Sequence, residues 1–436
     1  MSSPLADLAP HRDSGSELPA PILVLVPTPI ASSYAARFAT TPRQDAKILG
    51  LGLVQRTVLA ARRAGYHRIV LLAPDDAGLP GVSTMSDWNR LRTAPEPGTP
   101  EPLLIAPTTI LAETGWLERL ARMRIEAFAW AAAPDRILIL GAAAVPEALV
   151  ALGAEGGARD MTAVQARLAR RFGAPAPMPD GVDPMVVAAP ADVRTAERRL
   201  LRALVKDTDG FMARHVERPI SLAISRRLAS TAVTPNQMTL ASMAIGLAGA
   251  PFFLSAEWPW QTAGALLFLA HSILDGCDGE LARLKFQESR WGGVLDFWSD
   301  NIVHIATFSC MAVGWSRAID ETWPLLLGAA AVLGNLASAG FVHWRMMRAK
   351  DGAGPLFTSV SASPARRLAR LLDALSRRDF IYLVVALGLF GKANWFLLLA
   401  SLGAPTYFFL LVLLAIRESV AKASPPSGAA PGLRVE

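Results

Sequence analysis

Cysteine is almost missing from this chain. Two occur in 436 residues, Cys277 and Cys310, both inside apolar segments. Two residues so placed build neither a disulfide framework nor a zinc site. Charge is scarce as well: Asp, Glu, Lys and Arg make up 18% of the chain, against 52% hydrophobic residues. With a mean hydropathy of +0.32, that balance excludes an ordinary soluble protein of this size and requires a membrane domain. The first twenty residues, MSSPLADLAPHRDSGSELPA, have no apolar core, so residues 1–20 read as a disordered tail and not as a secretory signal. Residues 421–436 read as a second tail.

What charge there is has a sign and a place. The formal net charge is +6. In a soluble protein that would suggest nucleic acid; in a membrane protein it reads as Lys and Arg on cytoplasmic loops, facing anionic lipid. No nucleic-acid partner is expected.

Residues 21–198 look soluble. Short apolar runs at 22–27, 68–74, 102–107 and 136–141 read as buried strands, and helical patterns separate them. Strand–helix alternation predicts a mostly parallel sheet covered by helices, an α/β domain. Residues 199–230 are basic and amphipathic and predict a juxtamembrane helix lying in the interface. From there to residue 420 the chain predicts an all-α membrane domain of six transmembrane helices, at about 238–256, 259–275, 293–314, 323–344, 380–391 and 395–416. The last boundary falls either at Gly391–Asn394 or at the GAP of 403–405. Loops 284–291 and 345–378 carry ten basic residues, among them Arg345, Arg366 and Arg378, and the intervening loops carry few. This places both termini in the cytoplasm.

The informative stretch is DGCDGELARLKFQESRWGGVLDFWSD, residues 275–300. Carboxylates at membrane depth are costly and face a polar cavity or a partner. Asp275 and Asp278 are three apart, Asp296 and Asp300 four apart, so each pair shares a helix face. A short loop joins the two helices, so the acidic faces can converge as a site of hard oxygen donors for two divalent ions, Mg²⁺ or Mn²⁺. Gly279 and Gly292 open the backbone near the acids, Ala282 continues the small face, and Arg283 suits a phosphate. Metal, phosphate and a carboxylate base are the equipment of phosphoryl chemistry. An ion or proton pathway is the other use of intramembrane acids.

The complete order D-x2-D-G-x2-A-R-x8-G-x3-D-x3-D resembles the signature of the CDP-alcohol phosphotransferase family, membrane enzymes of phospholipid synthesis. The resemblance implies a six-helix homodimer with a cytoplasm-facing cavity among membrane lipids. It implies that Asp275, Asp278, Asp296 and Asp300 hold two cations, that Asp300 is general base, and that Gly279, Ala282, Arg283 and Gly292 serve the CDP moiety. An acceptor alcohol attacks the phosphorus next to the carried alcohol and CMP leaves; CDP-diacylglycerol is the favoured donor. TPNQMT (234–239) looks like the family's lead-in to the first span, with Asn236 either a CDP contact or a helix cap. His304, Arg345 and Arg378 are candidates for the acceptor side, His304 equally a core residue.

The whole arrangement is similar to bifunctional proteins that join an inositol-1-phosphate cytidylyltransferase to a di-myo-inositol-phosphate phosphate synthase. LVKDTDGFMARHVERPISLAIS (204–225) and RRDFIYL (377–383) look like their linker and fifth-span lead-in. The front domain departs from that pattern. A nucleotidyltransferase cradles a triphosphate on a Gly-rich loop after its first strand, but residues 26–47 contain no glycine, and Pro107 and Thr108 stand where a metal-binding aspartate is needed. Lys47 is the one candidate substrate contact. The front domain is therefore expected to be nucleotidyltransferase-like and inactive. Asn301 directly after Asp300, in place of the arginine usual in inositol-using members, speaks against an inositol-type substrate.

Overall fold

The computed structural model describes residues 21–27, 47–73, 78–93, 101–123, 130–132, 137–154, 157–158, 160–178, 182–205, 209–348 and 380–423. They form two compact units. The first comprises residues 1–205 with the short stretches 226–232 and 282–287; the second comprises 206–225, 233–281 and 288–436.

The first unit is α/β. Its strands and helices run β1 (Ile22–Val26), β2 (Lys47–Ile48), β3 (Leu51–Gly52), α1 (Leu53–Arg63), β4 (Ile69–Leu72), β5 (Ser83–Met85), α2 (Trp88–Thr93), β6 (Leu103–Pro107), β7 (Ile110–Leu111), α3 (Thr114–Arg122), β8 (Trp130–Ala132), β9 (Leu138–Leu140), α4 (Val145–Gly153), α5 (Met161–Phe172), β10 (Ala176–Pro177), β11 (Met185–Val186) and α6 (Pro190–Arg202). The main sheet has seven strands in the order β10-β8-β9-β6-β1-β4-β5. β1 pairs in parallel with β4 and β6, as β4 does with β5 and β10 with β8. β9 is antiparallel to both its neighbours. The sheet is thus mostly parallel with one reversed strand.

Every residue of β1 is buried, as expected where both faces are covered. Leu23 and Leu25 pack into one core with α1 and α3; Ile22, Val24 and Val26 pack into the other with Leu149, Leu152 and Leu168. Two buried polar side chains reach carbonyls: Tyr66 donates to that of Leu117 at 3.2 Å, and Arg56 Nη2 to that of Ile48 at 2.9 Å. Burial lowers the Arg56 guanidinium to about 10.

The second unit is helical: α7 (Arg218–Ala229, whose last residues fall in the first unit), α8 (Pro235–Gly249), α9 (Trp258–Lys285), α10 (Arg290–Ile319), α11 (Trp323–Arg348), α12 (Phe380–Leu389) and α13 (Phe396–Ala423). Among the described residues, four stretches are long and apolar enough to cross a membrane: Pro235–Leu254, Arg290–Ile319, Trp323–Arg345 and Ala393–Arg417. α9 has the length, but its second half carries Asp275, Asp278, Glu280, Arg283 and Lys285. α12 shows ten residues, Phe380–Leu389.

Two sequence readings resolve here. The break before the last helix falls at Gly391, whose φ is +63°, a value glycine adopts without strain. The GAP stretch lies within α13, where the missing Cβ of Gly334 lets Pro405 approach: a Cβ there would stand 2.6 Å from the Pro405 nitrogen. Residues 199–230 are not one helix, a correction to the juxtamembrane reading. α6 stops at Arg202, and a π-helical turn over Ala213–Glu217 leads into α7. Asp209 and Gly210 explain the restart: Asp209 reaches forward to Arg218 with two hydrogen bonds of 2.9 and 3.1 Å.

Candidate metal centre

α8 starts as its sequence requires. Thr234 caps it, accepting from Gln237 N–H while the Gln237 side chain accepts from Thr234 N–H, and Pro235 occupies the first turn. Asn236 is therefore not the cap. It is exposed, and its Oδ1 lies 3.1 Å from where a Cβ on Gly292 would stand. Gly292 also approaches Ser289, the N-cap of α10, whose Oγ accepts from Gly292 N–H at 3.0 Å. A side chain at position 292 would crowd both groups.

Asp275 and Asp278 are buried on α9, and Asp296 is half-buried on α10. Each offers a carboxylate oxygen, and these three atoms lie within 4.8 Å of one another. The donor set is hard oxygen throughout, which suits Mg²⁺ or Mn²⁺ and not a soft or imidazole-bound metal. Thr239, buried on α8, donates its hydroxyl to Asp278 Oδ2. Asp300 falls outside that group of three; its Oδ1 is 3.3 Å from Nε2 of the buried His271. His271 Nδ1 faces the Ser242 carbonyl at 3.0 Å, and a carbonyl only accepts, so Nδ1 carries a proton.

The remaining sequence candidates distribute as follows. Gly279, Ala282 and Arg283 continue α9 past Asp278, all half-buried. His304 sits among rings, with centroids 5.4 Å from Phe268, 5.9 Å from Phe380 and 6.0 Å from Phe308. It is half-buried there. Arg345 is half-buried near the end of α11, and Arg378 lies outside the described residues. In the first unit Lys47 is exposed on β2. Pro107 ends β6, and Thr108 donates its backbone N–H to Val26 at 3.0 Å. Most of the glycine-free 26–47 stretch lies outside the described residues.

Sequence reading missed three groups. Thr239 ends the TPNQMT lead-in, where nothing local marks it as a partner of an acid. His271 precedes Asp275 by one turn, so H-x3-D-x2-D on one face was a readable signal. Glu280 occupies a variable place in the motif, yet it is completely enclosed. It accepts from Arg218 Nη1 at 2.8 Å and from Ser221 and Ser225 at 2.7 Å each. Burial alone would lower the Arg218 guanidinium, but Asp209 and Glu280 outweigh it and raise it.

The comparisons bear on this helical region. Residues 232–372 match the family model of CDP-alcohol phosphatidyltransferase. A bifunctional IPC transferase and DIPP synthase of Thermococcus kodakarensis is 36% identical over 158 residues, 36% of this chain and 35% of that protein. The archaetidylinositol phosphate synthase of Pyrococcus horikoshii is 31% identical over 118 residues, 27% of this chain and 60% of its own. The chain spans about a third of the length of the bifunctional relatives it matches. The crystal structure of phosphatidylinositol phosphate synthase from Mycobacterium tuberculosis with CDP-DAG bound aligns with a TM-score of 0.31 at 17% identity, over 50% of this chain and all of that one.

Proposed function

We propose that this chain is an integral membrane CDP-alcohol phosphotransferase of lipid biosynthesis, whose helical unit does the chemistry. One observation carries the reading: three carboxylates that the family's motif requires, from two helices and 21 positions of sequence, offer oxygens within 4.8 Å of one another. In this proposal Asp275, Asp278 and Asp296 hold the divalent ions and Asp300 completes the set. Bound there, the cations would polarise the donor diphosphate and neutralise the leaving phosphate. Gly279, Ala282, Arg283, Gly292 and Asn236 receive the CDP moiety, Arg283 through its charge and the others by leaving room or bonding. Asp300 accepts the proton of the acceptor hydroxyl, whose oxygen forms the new P–O bond as the bond to CMP breaks.

CDP-diacylglycerol is the donor we favour, because a membrane-embedded site suits a lipid. The relatives named for IPC transferase and DIPP synthase favour a second reading, in which a soluble CDP-polyol is used and the α/β unit makes it. Against that stand the glycine-free 26–47 stretch and Pro107–Thr108, so we assign the α/β unit no catalysis. The six helices from α8 to α13 are taken as spans of the inner membrane, both termini cytoplasmic, in a homodimer.

CMP release by the purified full chain tests the proposal. With CDP-diacylglycerol or CDP-inositol, an acceptor alcohol and Mg²⁺ or Mn²⁺, CMP should appear, and chelation should stop it. Turnover with the first donor and none with CTP supports the first reading; CTP consumption supports the second. Absence of metal-dependent CMP from every CDP-alcohol would overturn both and leave an ion pathway.

A further inference from the structure

Glu280 lies two residues beyond Asp278, and at 100° per residue it points nearly opposite to Asp275 and Asp278 on α9. Its carboxylate has no exposure at all, whereas Arg218 and Asp209 keep 16% and 11%. A group so enclosed meets no substrate. Among the described residues its hydrogen bonds go to one segment: Arg218 and Ser221 on one oxygen, Ser225 on the other. These three donors sit at i, i+3 and i+7, a single stripe of α7. Arg218 is fixed in turn from its far side by both oxygens of Asp209. The network is thus one cation shared by two anions, with two hydroxyls supplying what the second anion lacks.

Burying a carboxylate with half a cation is expensive. Packing alone would be served better by an apolar side chain, so the arrangement fixes something packing leaves loose. Three directed bonds to both oxygens fix the rotation of α9 about its axis. That rotation decides where Asp275 and Asp278 aim. We propose that Glu280, held by Arg218, Ser221 and Ser225, is a positioning residue that sets the rotation of α9 and so presents Asp275 and Asp278 to the divalent cation. This rests on the metal-centre reading above.

The test is Mn²⁺ binding by the full chain in detergent, followed by electron paramagnetic resonance. Glu280→Ala should raise the Mn²⁺ dissociation constant about tenfold, the low end for residues that orient metal ligands. Ser221→Ala/Ser225→Ala, which keeps the charge pair, should raise it by less. Partial unfolding would lower the number of sites, not the dissociation constant of each, so a merely structural role leaves the constant unmoved. Where Glu280→Ala does not purify, Glu280→Gln keeps the volume and removes the charge, and it should still weaken Mn²⁺ binding. Wild-type affinity in Glu280→Gln and in the double serine variant overturns the positioning role alone. A wild-type chain that binds no Mn²⁺ overturns it together with the metal centre.

Discussion

Thr239→Val tests the candidate centre with little change of shape. Thr239 is 2% exposed on α8, and its hydroxyl meets Asp278 Oδ2. The same oxygen lies 3.2 Å from the Pro235 carbonyl one turn back. A hydroxyl has one proton, and a carboxylate is the stronger acceptor, so the proton goes to Asp278. Valine keeps the branched outline and removes the donor. A hydrogen bond to a charged group contributes about 1.5–3 kcal/mol. Most of it is present whether or not a cation is bound, so stability should fall by about that amount while metal affinity falls through lost orientation, about tenfold. Thr239→Ser restores the donor and should restore metal half-saturation close to wild type. The assay is CMP release against Mn²⁺ concentration: Thr239→Val shifts the midpoint upward, and saturating metal recovers most of the rate. An unchanged midpoint with a depressed plateau would refute the reasoning, as would a serine variant as impaired as the valine one.

Three further outcomes are expected. Asp300→Asn should lower CMP release by about 10²–10⁴-fold, the range for losing a general base, while circular dichroism stays that of the wild type; normal turnover would remove Asp300 from that role. Thr108→Ala and Lys47→Ala should leave CMP release unchanged, and a large loss in either would show a working α/β unit. Gly50→Ala should destabilise the first unit by about 1–3 kcal/mol, read as a lower denaturation midpoint, because Gly50 has φ +82° and an added Cβ would collide with the Ala229 carbonyl.

Where local pattern decides structure, the sequence was readable. The four short apolar runs became β1, β4, β6 and β9 because covered strands need unbroken apolar residues. The reversal of β9 was not readable, since neighbours in a sheet are chosen by the whole topology and not by the strand. Gly391 and the GAP stretch each looked like a break; the difference lay in a partner, as Gly334 on α11 accommodates Pro405 within a continuous helix. Residues 199–230 looked like one amphipathic helix because the basic periodicity runs through Asp209 without showing that it turns to Arg218. At the centre the acids were legible from i, i+3 and i+4 spacing, and the start of α8 from the TPNQMT lead-in. Thr239 and Glu280 were hidden because their meaning depends on a helix distant in sequence. His271 stands one turn before Asp275 on the same face, a spacing the sequence itself displays.

The acids themselves set the last expectation. Carboxylates with oxygens within 4.8 Å of one another would, wherever they carry charge, repel by about 3 kcal/mol per pair at an effective dielectric near 20. Contacts elsewhere in the unit must bear that cost, and the buried Glu280 network adds to it. A cation converts the repulsion into attraction and, binding only the folded chain, stabilises it by about 2.7 kcal/mol at a hundredfold excess over its dissociation constant. Asp296→Asn, at the least buried of the three positions, removes two repulsive pairs and one ligand. In chelator this variant should therefore melt above the wild type, and in saturating Mn²⁺ below it. Crossing of the two melting temperatures is the mark of acids placed for a ligand against the interest of stability. A variant that melts below the wild type in chelator would mean that Asp296 serves the fold, and the metal centre would lose its third oxygen.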